Sequence, residues 1–147
     1  MDISKKITGT SFPKTYLWCQ ANSFENPNTS LSFATAHIPF TLFSFRGLIC
    51  VLIVDGKEYR FATYNNSRLK KFDVTEQNVD ILLTKGDYSL SIKCDKVKGF
   101  PLLSPLKGGM EKTIIETIDS RVDVVLKKGG DVVYSDSSIN AGLEIVI

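Results

Sequence analysis

The chain has 147 residues, 43% hydrophobic and 23% charged, which suffices for one domain with its own apolar core. A formal net charge of +2 with scattered Lys and Arg excludes the clustered basic surface of a nucleic-acid-binding domain. Three separated cysteines (Cys19, Cys50, Cys94) and the lone His37 give no CxxC and no zinc spacing, so no metal or cofactor is expected and free thiols of a reducing compartment are.

From the amino end, Met1-Asp2-Ile3-Ser4-Lys5-Lys6-Ile7 has no apolar core of the kind a secretory leader needs. The short stretch before Pro13 is the best helical candidate. Strands are predicted over Tyr16 to Phe24 and Leu31 to Pro39, then over Arg46 to Val54. The densest apolar run, Leu48 to Val54, is far too short to span a bilayer as a helix and reads as a buried strand. No integral membrane segment is therefore expected, and a cytoplasmic location is. Asp55-Gly56 supplies a tight turn into Lys57 to Phe61. Arg68 to Thr75 follows. Next come the alternating run Asn78 to Thr84, the turn Lys85-Gly86-Asp87, and a return over Tyr88 to Cys94. Val97 to Gly109, rich in Gly and Pro, reads as a loop folded back over the domain. Strands resume at Glu111 to Ile118 and Val122 to Leu126. Lys128-Gly129-Gly130 turns into Val132 and Tyr134, and Ala141 to Ile147 closes the chain. The basic groups Arg68-Lys70-Lys71 and Lys127-Lys128 sit at strand edges or turns and read as solvated faces or as protection of edges against pairing, not as phosphate or headgroup contacts.

The sum is about ten strands at sandwich or barrel spacing. No segment carries a sustained apolar stripe at helical period. The expectation is one all-β, antiparallel domain over residues 1–147. Closing such a meander into a ring removes its exposed edges, and barrels of this size hold either packed side chains or one small ligand.

The run Phe12-Pro13-Lys14-Thr15-Tyr16-Leu17-Trp18-Cys19-Gln20-Ala21-Asn22-Ser23-Phe24-Glu25 resembles the Phe-Pro, aromatic-x-Trp-x-Gln-x-Asn-x-Phe strand of the tocopherol cyclase family. Asp55-Gly56-Lys57-x-Tyr59-x-Phe61 is similar to that family's hairpin. Leu103-Ser104-Pro105 with Gly109-Met110 is similar to its Pro-containing loop. Ile114-x-Glu116, Val122-x-Val124-x-Leu126 and Ala141-Gly142-x-Glu144 are similar to its closing strands. The likeness is to the family's C-terminal part; the long N-terminal half that members carry has no counterpart here. That leaves a natural short homologue or an excised domain as the two expectations. Two departures stand out. Ile7-Thr8-Gly9 replaces an Asn-Trp-Gly, and Tyr16 replaces a Trp. The resemblance implies a lipocalin-like (calycin-type) β-barrel and, as a partner, a hydrophobic small molecule of isoprenoid or prenyl-quinone type.

Cyclising a prenylated hydroquinone needs an acid to protonate a double bond, so that the phenol oxygen can add to the tertiary cation in a site that excludes water. Glu116, in step with Ile114 and Ile118, is the candidate acid if that face points inward; an ion pair with Arg121 is the alternative. Glu144 and Glu25 read as outer-face and turn residues. Trp18, Gln20, Asn22 and Phe24 share one face by spacing. They would bind a ligand if that face lines the barrel, with the amides on an oxygen and the rings as stacking area. The alternative is that the amides bond neighbouring backbone and Trp18 plugs one end. His37 lacks a second histidine for a metal or a triad. The aromatic run Phe40, Phe43 and Phe45 reads as core or barrel-mouth packing. Three functions follow: a hydrophobic-ligand binder, a cyclase using Glu116, or a structural or interaction domain with a filled core. The oligomeric state is not readable from the sequence.

Overall fold

The computed structural model describes residues 16–40, 43–75, 77–95, 100–105 and 111–146, with side chains for all of these except 38–40, 43, 44, 100–105, 111–116 and 118. Ten strands form: β1 (Tyr16–Ala21), β2 (Thr29–Phe40), β3 (Phe43–Val54), β4 (Lys57–Ala62), β5 (Arg68–Val74), β6 (Asn78–Lys85), β7 (Tyr88–Asp95), β8 (Phe100–Pro105), β9 (Glu111–Lys128) and β10 (Asp131–Val146). One 3-10 turn, Thr63–Asn65, joins β4 to β5.

The all-β reading holds. The strands pair antiparallel in the order β4-β3-β2-β1-β10-β9-β7-β6-β5, with β8 added to β9, and the nine on that path make a nearly closed barrel. At the seam between β4 and β5, the Leu48 amide donates to Thr63 Oγ1 at 2.8 Å. The Arg46 guanidinium reaches from β3 to lie 5.2 Å from the Phe72 ring centroid on β5.

Period-2 patterning decides which residues go inside. On β1, Leu17, Cys19 and Ala21 are fully buried, while Trp18 and Gln20 between them are not. Leu31 and Phe33 (β2), Cys50 and Leu52 (β3), Val79, Ile81 and Leu83 (β6) and Leu90, Ile92 and Cys94 (β7) repeat the rule. Each large apolar side chain taken fully out of water contributes about 1.5–3 kcal/mol. A side chain lining a void that admits water would register exposure; Leu17, Cys19, Leu31, Cys50, Leu52 and Phe72 all register 0%. Around these residues the barrel interior is filled.

Turn chemistry sets the registers. Asp55 and Gly56 have φ of 50° and 84°, the paired positive values of a type I′ turn, whose twist matches the flanking strands. This fixes Val54 opposite Lys57.

Three expectations need revision. The loop expected over Val97 to Gly109 contains a strand, since Phe100–Pro105 form β8. Asp95 pairs with Arg121 and Phe100 with Glu116, so both strands advance five residues across the break and the register is kept. Pro101 and Pro105 fit because β8 pairs on one side only, where a missing N–H costs no ladder bond. Secondly, Glu111 to Ile118 and Val122 to Leu126 belong to one strand, β9, and the last two predicted strands belong to β10. Register shifts in β10 between Val132 and Tyr134, Ser138 and Ala141, and Ala141 and Leu143 break the phase of the alternation; a bulge lets the strand continue where the pattern alone signals a stop. Thirdly, Tyr16 to Phe24 is not one strand: β1 ends at Ala21. The helical candidate before Pro13 lies outside the described residues.

Past β1 the chain is tied to β10. The Ser23 amide donates to Ser138 Oγ at 3.0 Å, and Phe24 forms a single bridge with Ser138. Asp136 accepts from the amides of Glu25 (3.2 Å), Asn26 (3.1 Å) and Ser137 (2.7 Å) and from the Tyr134 hydroxyl (2.5 Å). Burial pushes the Asp136 carboxyl up, but the bonds from Tyr134 and the three amides outweigh it and hold it below the usual carboxylate range.

Candidate binding groove

With Leu17, Cys19 and Ala21 inside, Trp18 and Gln20 lie on the outer wall of the barrel. Trp18 is half-buried, and Gln20 and Asn22 are exposed. Phe24, at 6% exposure, joins the core instead, because the chain turns inward after Ala21. The four residues grouped by spacing therefore do not converge on one cavity. The Trp18 ring lies over Gly142 of β10, where an added Cβ would come within 3.3 Å of Cζ3. Glycine here gives the indole a flat seat.

The outer wall beside Trp18 carries a concavity. In register, Trp18 stands opposite Ala34, and Ala34 opposite Ile49. One step along, Ala36 stands opposite Gly47. These small residues form the floor of an open groove of about 490 Å³, walled by Phe45, Ile49 and Tyr64. The walls are unusually exposed for their chemistry: Phe45 41%, Ile49 42% and Tyr64 70%. A smaller trench of about 190 Å³ shares Ala34 and Ile49 with the groove and runs to Trp18. At the other side, the Tyr64 hydroxyl accepts from Arg60 Nη1 at 3.0 Å, and Arg60 pairs with Glu58 at 3.1 Å.

The far side of the barrel is different. Across β5, β6, β7 and β9 the outer wall presents a row of alternating charge. Lys71 bonds Asp80 at 2.8 Å, Asp80 stands opposite Lys93, Lys93 opposite Asp123, and Asp123 takes Arg121 at 3.1 Å and the Ser137 hydroxyl. Such a row is a solvated face. The apolar wall on β1 to β3 is a distinct surface on the same barrel.

Glu116 lies in β9 with its side chain outside the described set. Its backbone stands opposite Glu144, which stands opposite Trp18. The ladder row Ile49, Ala34, Trp18, Glu144, Glu116 thus runs unbroken from the groove across five strands. Glu25 sits in the loop after β1, where its amide is bonded to Asp136.

Two polar residues sit on the inward phase near the turn end of the β2–β3 hairpin. His37 stands opposite Arg46. Arg46 Nη1 donates to Thr35 Oγ1 at 3.4 Å, and burial lowers its pKa. The Thr35 hydroxyl also donates to the Gly47 carbonyl at 2.9 Å. All three cysteines are buried free thiols. Burial, with Cys19 as a neighbour, pushes Cys50 far up, and the Cys19 thiol, with burial, does the same to Cys94. Among the described residues no cluster of three His, Cys, Asp or Glu is placed to hold a metal ion.

The residues that build the groove escaped the sequence reading. Ala34, Ala36 and Gly47 attract no attention singly. The available signal was their spacing: two alanines at alternate positions of one strand, facing a glycine across a hairpin.

Comparison with known proteins adds one finding. The family model described as tocopherol cyclase-like matches residues 2–146. No curated protein and no solved structure matches the chain.

Proposed function

The chain belongs to the tocopherol cyclase-like family, and on that footing we propose that it is a domain that binds a hydrophobic small molecule of isoprenoid or quinone type. The observation that carries this reading is the groove of about 490 Å³ on the outer wall, apolar in lining and reached directly from solvent. The site is therefore outside the barrel, across β1 to β3, and not in the filled interior. Trp18 at one end supplies stacking area, and the Tyr64 hydroxyl at the other supplies a polar contact for a ring oxygen. A reducing, cytoplasmic compartment fits three buried free thiols. No helix among the described residues is long and apolar enough to cross a membrane.

The test uses Trp18, the one tryptophan of the chain. Titration with a prenylated quinol is expected to quench its emission saturably. Ala34→Leu and Ala36→Leu, which fill the floor, are expected to weaken binding about ten-fold, equivalent to about 1.4 kcal/mol. A chain that shows no saturable quench, or binds equally well with both leucines, refutes the reading and leaves a structural or interaction domain with a filled core.

The row from Trp18 through Glu144 to Glu116 brings Glu116 into register with the wall beside Trp18, and a second reading, an acid-catalysed cyclase, requires the bound ligand itself to shut water out of that open wall. A carboxylic acid at Glu116 gives its proton to a trisubstituted double bond of a ligand lying along the row. The phenol oxygen closes on the resulting tertiary cation, and the phenol proton returns to the carboxylate. Glu116→Gln should abolish turnover of a prenylated quinol while leaving the Trp18 titration unchanged. Full activity in that variant would exclude Glu116 as the acid.

A further inference from the structure

The groove of about 490 Å³ offers a ligand very few polar atoms, and what each can do is fixed by its bonds. Among the described residues that line it, only Thr35, Thr63 and Tyr64 have a polar side-chain atom. Two of these are already committed to the main chain. The Thr63 hydroxyl accepts from the Leu48 amide at 2.8 Å and donates to the Leu48 carbonyl at 3.2 Å. The Thr35 hydroxyl donates to the Gly47 carbonyl at 2.9 Å from a buried side chain. Tyr64 is different. Its oxygen accepts from Arg60 Nη1 at 3.0 Å, and among the described residues no acceptor takes its hydrogen. The residue is 70% exposed, so in the free chain that hydrogen goes to water.

The strength of this donor comes from what stands behind it. Arg60 Nε and Nη2 donate to the Glu58 carboxylate at 3.1 Å each, so the cation is balanced and brings no net charge to the groove. It still polarises the phenol: a hydroxyl that accepts from a charged donor gives a stronger hydrogen bond in turn. No carboxylate, amide or imidazole is found among the described lining residues. The polar end of the groove therefore gives a hydrogen bond and has none to receive. A prenylated ring can meet that demand in one of its two oxidation states. A quinone has carbonyl oxygens, which are good acceptors with no hydrogen to place. A quinol has hydroxyl oxygens whose lone pairs are drawn into the ring, and hydrogens that lose water without gaining a protein acceptor.

We propose that the groove selects the oxidised, carbonyl-bearing form of its ligand, with a ring carbonyl accepting from the Tyr64 hydroxyl and the prenyl chain lying over Ala34 and Ala36 towards Trp18. This rests on the ligand reading above and sharpens it. A bound quinone has no phenol hydroxyl to close on a cation, so a groove that prefers it holds a prenylated quinone without cyclising it.

The experiment is isothermal titration calorimetry of the full chain under argon, with a geranylated 1,4-benzoquinone and, in ascorbate, its quinol. Heat is the readout because a quinone quenches indole emission on its own account. The quinone is expected to bind about five-fold tighter, the size of one net hydrogen bond in a site that water can reach. Tyr64→Phe keeps the ring and, at so exposed a position, the fold. It should weaken the quinone about five-fold and leave the quinol unchanged. Equal affinities or a tighter quinol in the native chain overturn the selectivity without need of any variant. So does a Tyr64→Phe chain that holds the quinone as well as the native one, or that loses both forms equally. Those outcomes leave the ligand reading standing. Binding of neither form overturns both, so the two failures are told apart.

Discussion

Removing the Asp136 carboxylate should loosen one end of the barrel in a way that can be worked out bond by bond. Asp136 accepts from three amides and one hydroxyl, and the Glu25 and Asn26 amides belong to the loop that carries Phe24 into the core. The Ser137 amide lies next to Asp136 itself and can turn to water. Asp136→Ala therefore takes a charged acceptor from two loop amides in a half-buried position. Water partly replaces it, so each lost bond costs about 1 kcal/mol and the pair about 2 kcal/mol. In a domain of this length that lowers Tm by about 4–8 °C. The effect should depend on pH with a definite sign. The Asp136 pKa is depressed in the fold, so its stabilisation is fully present above the unfolded value of about 3.9 and is lost as pH falls through the lower folded value. Thermal melts of the native chain and Asp136→Ala, followed by near-UV circular dichroism at pH 7 and at pH 2–3, measure both quantities. The two melting curves should draw together on acidification. A gap that is absent at pH 7, or one that persists unchanged in acid, refutes the account of the loop as held by the carboxylate.

Gly142→Val should push the indole off its seat, because a Cβ there already comes within 3.3 Å of Trp18 Cζ3; the expected readings are a red-shifted Trp18 emission and a cost of about 1–3 kcal/mol in urea unfolding. Phe33→Ala removes a fully packed ring from between Cys19 and Cys50 in the ladder and should cost about 3–5 kcal/mol by the same assay. The three thiols should react with a disulfide reagent only as fast as the barrel opens, and all at once in denaturant; a thiol that reacts in the native chain at the rate of a free peptide contradicts the packing.

The fold was legible because the barrel uses a short vocabulary. Alternation placed Ile81 and Ile92 inside, and Asp55-Gly56, Gly86 and Gly129-Gly130 named three of the turns. Legibility failed where tertiary context overrode local signal. Pro101 and Pro105 argue against a strand, and nothing local says that β8 has an open side. Ser135 to Asn140 argue for a break, and only the partner strand shows that bulges carry β10 through. The site was less legible still. Trp18, Gln20, Asn22 and Phe24 stand out in the sequence as polar amides between aromatics, but period alone does not say which of two faces is inside. That is decided by Leu17, Cys19 and Ala21, which are smaller and more apolar and fit a filled barrel. A groove made by the shortness of Ala34, Ala36 and Gly47 is visible only when the strands are laid side by side.

The ladder that joins the two ends of the chain has a kinetic meaning. β1 pairs with β10, and Tyr16 faces Val146, 130 positions further along the chain. The hairpins β2–β3, β5–β6 and β9–β10 need only near neighbours, whereas this pairing must wait until almost everything between is in place. Formation of the β1–β10 ladder should thus be the slow, late event of folding, on a scale of about milliseconds to seconds. Until then the flanks of β1 and β10 are raw edges open to pairing with another molecule, so the yield of refolding should fall with protein concentration. Trp18, seated on Gly142 across that very joint, is a built-in clock for the last step.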